Sequence, residues 1–122
     1  MLFGTMLKQR DIILIPIPFT DLTSQKRRPA VIISNDSYNE THEDIVVVAL
    51  TSKVEPRDFT IMLTGNDLEE GALKVTSMIR ADKIYTLNKS IVIKTFGRVK
   101  PEILIKIKDI FSKLIEHHDI TN

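Results

Sequence analysis

Apolar residues in this chain fall into short β-rich runs until its last quarter, where a helical stripe replaces them. Ile12 to Ile17 is aliphatic except for Pro16, and Ala30 to Ile33 is aliphatic throughout. Runs of this kind predict strands over 11–17, 29–34, 45–51, 59–63, 77–87 and 91–99. Pro16 and Pro18 place the end of the first strand at an edge or a bulge, because proline donates nothing to a ladder. Between the strands, 35–41 reads as a turn or one short helix. Residues 65–71 read as a single helical turn, with Asn66 as its cap and Glu69 three residues on. Residues 87–90 read as a tight hairpin turn through Asn88 and Lys89.

From Pro101 the period changes. Ile103, Ile107, Ile110 and Leu114 recur on one stripe, which Leu104 and Phe111 widen. Proline suits the first helical position, and Glu102 suits the positive end of the helix dipole. These residues predict a helix over about 101–117, with His117 and His118 near its negative end. The whole pattern predicts a mainly β protein, a small antiparallel barrel or curled sheet carrying a C-terminal helix. It reads as a single domain over 1–122, the barrel spanning about 8–99 and residues 1–7 forming a leader.

Composition narrows the function classes. The chain has no cysteine, which excludes disulfides and thiolate metal sites and fits a reducing compartment. The start, MLFGTMLKQRD, lacks the apolar core of a signal peptide, and no segment approaches the ~20 apolar residues of a membrane span. The expected location is the cytoplasm. A net charge of +1 argues against overall basicity as a means of holding duplex DNA. Any nucleic-acid affinity must then come from local patches. The runs of Ile, Val and Leu also exceed what one small barrel and one helix stripe can hide, which points to a second copy of the chain.

The best basic patch is Lys26, Arg27 and Arg28, read as a loop tip between two buried strands and followed at once by Pro29. Guanidinium forks match phosphate oxygens bidentately, so an anionic partner explains the crowding of like charge. Pro29 restricts the preceding backbone to extended conformations and so aims Arg28. Phe19, in the first loop, and Tyr85 are candidate platforms for unstacked bases. Lys83 and Arg80 differ by three residues, so a regular strand sends them to opposite faces. The histidines are dispersed, with His42 in a polar loop and His117 and His118 near the end of the chain, and make no two-histidine site. Glu40, His42, Glu43 and Asp44 lack any recognised metal-ligand spacing. Thr51 and Ser52, on the residues alone, are ordinary turn chemistry at a strand end.

The segments DIILIPIPFTDLTSQKRRPAVIIS, IVVVALTS, SMIRADKIYTL and FGRVKPEIL follow one another from about Lys8 to Ile115. In that order the chain resembles the PemK/MazF-like toxins of bacterial toxin–antitoxin pairs. The resemblance implies an SH3-like barrel, a homodimer and a metal-independent endoribonuclease, without cofactor, that cuts single-stranded RNA at short sequences and is silenced by a cognate antitoxin. It implies Arg28 and Thr51 as the catalytic pair. It sets Lys83 at a base-contacting position; on the same RNA reading Lys26, Arg27, Ser52 and Phe19 are expected to bind substrate. One departure is Arg10, where many relatives carry glycine before the first strand's aspartate. Two other functions compete, a non-catalytic nucleic-acid or protein-binding barrel and a gyrase-poisoning relative.

Overall fold

The computed structural model describes residues 6–18 and 25–118. Seven strands form one antiparallel sheet, β1 (Asp11–Pro18), β2 (Gln25–Ile32), β3 (Asp44–Thr51), β4 (Thr60–Leu63), β5 (Leu68–Gly71), β6 (Ser77–Asn88) and β7 (Lys94–Val99). Their spatial order is β4-β6-β3-β2-β1-β7-β5. Helix α1 (Asp36–Thr41) bridges β2 and β3, and helix α2 (Pro101–Leu114) follows β7. The sheet curls, because residues of the two end strands, Ile61 and Leu63 of β4 and Leu68 of β5, share one apolar cluster. Ile12, Val31, Val48 and Leu50 line the same cluster, and Ile103 and Ile107 of α2 close it. Period-2 alternation sends the intervening residues to the other face. There Ile13, Ile15, Ala30, Ile32, Ile45 and Val47 make a second buried cluster, edged by Leu7, Tyr85, Leu87 and Val92. The aliphatic runs without alternation therefore mark strands buried on both faces.

The prolines of β1 behave as the sequence predicts. β1 pairs β2 along its whole length, but β7 pairs only Asp11 to Leu14. Pro16 and Pro18 lie where β1 has one neighbour among the described residues. Four expectations need correction. The cations Lys26 to Arg28 stand on β2, which starts at Gln25, and not on a loop tip. Residues 65–71 are not one helical turn: Gly65–Asp67 is a 3-10 turn, capped reciprocally by Thr64 and Asp67, and β5 follows directly. Residues 89–91 form a second 3-10 turn capped by Asn88, so β7 begins only at Lys94. α2 ends at Leu114, which leaves His117 and His118 exposed beyond it.

Arg10 takes the left-handed backbone, with φ 79°. That is the conformation for which glycine is ordinarily used. Here the arginine side chain secures it, with Nη1 donating to the Val99 carbonyl at 2.7 Å and meeting Glu69 at 3.3 Å. Next to it Asp11, only 3 % exposed, accepts from the Lys8 N–H and from Arg98 Nε, both at 2.9 Å. The Asp11 carboxylate beside Arg98 raises the arginine pKa. These contacts tie the start of β1 to β5 and β7.

Candidate functional site

Arg28 and Thr51 are 23 residues apart in sequence, and the sheet brings them level. β2 and β3 pair as Ala30 with Ala49, Val31 with Val48 and Ile32 with Val47. The ladder ends at Ala30, because Pro29 beside it has no N–H to give. Two residues further in the same register, Arg28 faces Thr51. Cross-strand partners share a face. Arg28 is also paired with Ile15 of β1, and Thr51 with Met78 of β6. Both belong to the face opposite α2, at the end of the second apolar cluster. Lys26 shares that face further out, while Arg27 points to the other side of β2. Arg28 is half-buried; Lys26, Arg27 and Ser52 are exposed. Ser52 lies one residue past the end of β3. Phe19 lies outside the described residues.

The half-buried Thr51 hydroxyl accepts from the Lys53 N–H at 3.1 Å, so it does take part in a turn. A hydroxyl that accepts one bond still has its proton to donate. The connection after Thr51 folds back across the sheet, where the Glu55 N–H reaches the Met78 sulfur at 3.3 Å. Glu55 also pairs with Arg57. Its carboxyl is held below the usual range by the hydrogen bond from Arg57, then by Lys53, with Arg80 contributing. Lys53, Arg57 and Arg80 thus gather round one carboxylate.

Lys83 and Arg80 do not simply occupy opposite faces of a regular strand. β6 pairs Ala49 with Arg80 but Val48 with Ile84, so Ala81, Asp82 and Lys83 bulge out of the ladder. The bulge leaves Lys83 exposed. It curls Asp82 back onto Arg80, with Nε to Oδ1 and Nη2 to Oδ2 both at 3.1 Å. Arg80 beside it holds the Asp82 carboxyl below the usual carboxylate range. Through Ala49, Arg80 stands on the same face as Thr51 and two residues along. Arg80 is therefore a second cation beside the Arg28–Thr51 pair that strand periodicity missed. Its signal in the sequence is the Arg-x-Asp spacing of 80–82, opposite charges on alternate residues.

Among the described residues no three His, Cys, Asp or Glu side chains gather as a metal site. His42 stacks on Tyr38 at 4.2 Å and belongs to the end of α1. What the arrangement offers chemically is fixed cations, a hydroxyl donor and a bidentate Arg–Asp pair on one face of a rigid sheet. Such a set suits a phosphodiester.

The chain belongs to the PemK-like, MazF-like toxins of type II toxin–antitoxin systems, whose family model matches residues 8–115. Solved structures share the fold. A mycobacterial endoribonuclease in complex with its cognate antitoxin superposes with a TM-score of 0.74 at 21% identity, covering 93% of this chain and 99% of its own. A MazE–MazF structure from Deinococcus radiodurans gives 0.75 at 16% identity, over 93% of this chain and 100% of the other. The Mycobacterium tuberculosis toxin MazF-mt6 gives 0.71 at 14% identity, over 90% and 100%. No curated protein matches the chain significantly. Among the described residues no helix is long and apolar enough to cross a membrane.

Proposed function

We propose that the protein is an endoribonuclease of a toxin–antitoxin pair, cutting single-stranded RNA in the cytoplasm by attack of the RNA's own 2′-hydroxyl. The observation that supports this reading is the β2–β3 register, Ala30 with Ala49, which continued by two residues beyond the end of the ladder brings Arg28 opposite Thr51. In-line attack by the 2′-oxygen forms a bond to phosphorus while the bond to the 5′-oxygen breaks, giving a cyclic phosphate and a free 5′-hydroxyl. The five-coordinate transition state carries extra negative charge on its non-bridging oxygens. Arg28 offsets that charge, held in extended backbone by Pro29. Its role is electrostatic, because a guanidinium does not give up its proton in proteins. Thr51 donates a hydrogen bond from its hydroxyl to a non-bridging phosphate oxygen and keeps its proton; the 2′-hydroxyl proton passes to water, and the departing 5′-oxygen takes a proton from water. Arg80 grips an adjacent phosphate, with Lys26, Lys83 and Ser52 positioning the strand around it, whereas Arg27, expected at the substrate, lies on the other side of β2.

Mass spectrometry and gel mapping of a long unstructured transcript, incubated with the protein in EDTA, test this. Discrete cuts ending in cyclic phosphate, with duplex RNA left intact, are expected. No cleavage, or cleavage only on addition of Mg²⁺, removes the reading. The proposed partners are RNA, an antitoxin whose acidic tail lies over the cations, and a second copy of the chain. Added antitoxin should suppress cleavage in proportion to its amount, and tight binding with undiminished cleavage would show that it leaves the RNA face open.

A further inference from the structure

We infer that Glu55 is a built-in stand-in for phosphate, an autoinhibitory contact that holds Arg57 until RNA displaces it, and that Arg57 then takes a phosphate next to the cut; this rests on the single-strand RNA reading above. The connection after β3 carries Lys53, Glu55 and Arg57 at alternate positions. Three side chains of the sheet tie its backbone down. Thr51 Oγ1 accepts from the Lys53 N–H at 3.1 Å, and the Met78 sulfur accepts from the Glu55 N–H at 3.3 Å. Thr60 Oγ1 donates to the Arg57 carbonyl at 2.7 Å. All three side chains belong to the face of Arg80. Met78 pairs with Thr51, Thr60 pairs with Arg80, and Arg80 lies two residues from Met78 along β6. Met78 is only 3 % exposed, although it belongs to neither apolar cluster, because the connection crosses it. Pro56 restricts Glu55 to extended backbone, as Pro29 restricts Arg28.

A carboxylate is thereby held over the candidate face, above the strand next to Thr51, ~5 Å away in the sheet. Its partner is Arg57, which reaches Glu55 Oε1 through Nη2. Lys53 and Arg80 add their charge, and the Glu55 carboxyl is lowered by all three cations. Cations that converge on a carboxylate oxygen are equally placed for a phosphate oxygen. The two arginines of this corner are held differently. Arg80 meets both oxygens of Asp82, in the less exposed of the two pairs. Arg57 meets one oxygen of Glu55, with side chains 43 % and 35 % exposed. So exposed a pair contributes little to stability, and an incoming phosphate can exchange with it at little cost to the fold. Arg80 therefore stays aimed by Asp82, while Arg57 changes partner. Once the strand is seated, the Glu55 charge lies beside phosphates and opposes their binding.

The test is a double-mutant cycle on the full-length protein in an Arg28→Ala background, read by the anisotropy of a fluorescein-labelled unstructured RNA. Glu55→Gln should tighten binding about two- to fivefold at low salt, the range of an exposed ion pair. Glu55→Ser, too short to reach Arg57, should repeat the gain. The slope of log affinity against log salt should steepen by about 0.7, because Arg57 then exchanges a counterion and not Glu55 for the phosphate. With Arg57→Met in place, the gain from Glu55→Gln should shrink to that of Glu102→Gln, a control on α2. In the active protein, Glu55→Gln should lower KM by the same factor and leave kcat unchanged. Binding that is unchanged or weaker in Glu55→Gln overturns the inference. So does a gain that survives intact without Arg57, or a fall in kcat, which would put Glu55 in the chemistry. Tighter, Arg57-dependent binding by Glu55→Gln in a protein whose parent never cuts RNA overturns the nuclease reading alone.

Discussion

Arg28 is the residue on which the nuclease reading turns. Arg28→Ala should lower the cleavage rate roughly 10²–10³-fold, the usual effect of removing one preorganised charge stabiliser. Circular dichroism should show the fold retained. Arg28→Lys should restore little, because an ammonium cannot present a fork to two oxygens. Arg80 is tested through its partner. The Asp82 carboxyl, depressed by Arg80, should titrate below the ordinary aspartate range in a carboxyl-detected NMR experiment and return to it in Arg80→Met. The sign follows from linkage: the pair stabilises the fold above the ordinary carboxylate pKa and loses that contribution as pH falls through the folded value. The contribution is small, since both side chains are solvent-accessible. Asp11 carries more. Asp11→Ala leaves the Lys8 N–H and Arg98 Nε without their acceptor, though Arg98 Nη1 keeps Glu70, and should cost about 2 kcal/mol, read as a lower denaturation midpoint at constant m. At this scale the candidate site was partly legible. Thr51 ends an aliphatic run that fixes its strand, whereas Arg28, which reads as a loop tip, owes its place on β2 to pairing with β1. Arg80 was not legible, because the bulge that re-aims it arises from pairing with β3 and β4.

Elements whose reason lies within their own residues were predicted well, and those whose reason lies in a partner were not. α2 announces itself with proline at its first position and an apolar stripe. α1 has Asn35 as a cap, its side chain accepting from the Tyr38 N–H at 2.8 Å. β5, by contrast, is Leu68–Gly71, four residues with one apolar side chain and no alternation. It is a strand only because β7 lies beside it, and the two approach closely at glycines. Gly71 has φ 85°, and a Cβ there would collide with the Phe96 carbonyl oxygen. Gly71→Ala is thus both strained and obstructed by backbone. It should destabilise the protein by about 1–3 kcal/mol. Hydrogen exchange should show the loss first in β5 and the adjoining end of β7, with the β2–β3 ladder and the candidate site least affected. Uniform loss across the sheet would show that β5 folds and unfolds with the whole.

For the whole molecule, near-neutral charge and nucleic-acid binding are compatible because the cations are not spread evenly. Lys26, Arg27, Arg28, Lys53, Arg57, Arg80 and Lys83 lie along β2, the connection after β3 and the β6 bulge. Both faces of β1, β2 and β3 are buried within one chain, which absorbs much of the aliphatic surplus seen in the sequence. Of the apolar residues that stay exposed, Phe111, Leu114 and Ile115 follow one another at the end of α2, while others, Met62, Val75 and Ile105 among them, lie elsewhere. Light scattering at micromolar concentration should therefore report about twice the 13.9 kDa chain mass, and a clean monomer would leave that apolar end unexplained. Charge localisation makes the sharper prediction. Binding of an unstructured RNA by the Arg28→Ala variant should weaken steeply with salt, despite a parent net charge of only +1. For single strands each phosphate contact contributes about 0.7 to the slope of log affinity against log salt. Removing Arg80 or Lys83 should flatten that slope by about one contact each. Removing Lys106 or Lys113, on α2 and away from this face, should leave it unchanged. Equal effects from both sets would mean that RNA is held by diffuse attraction, and the face built by β2, β3 and β6 would lose its claim to be the binding site.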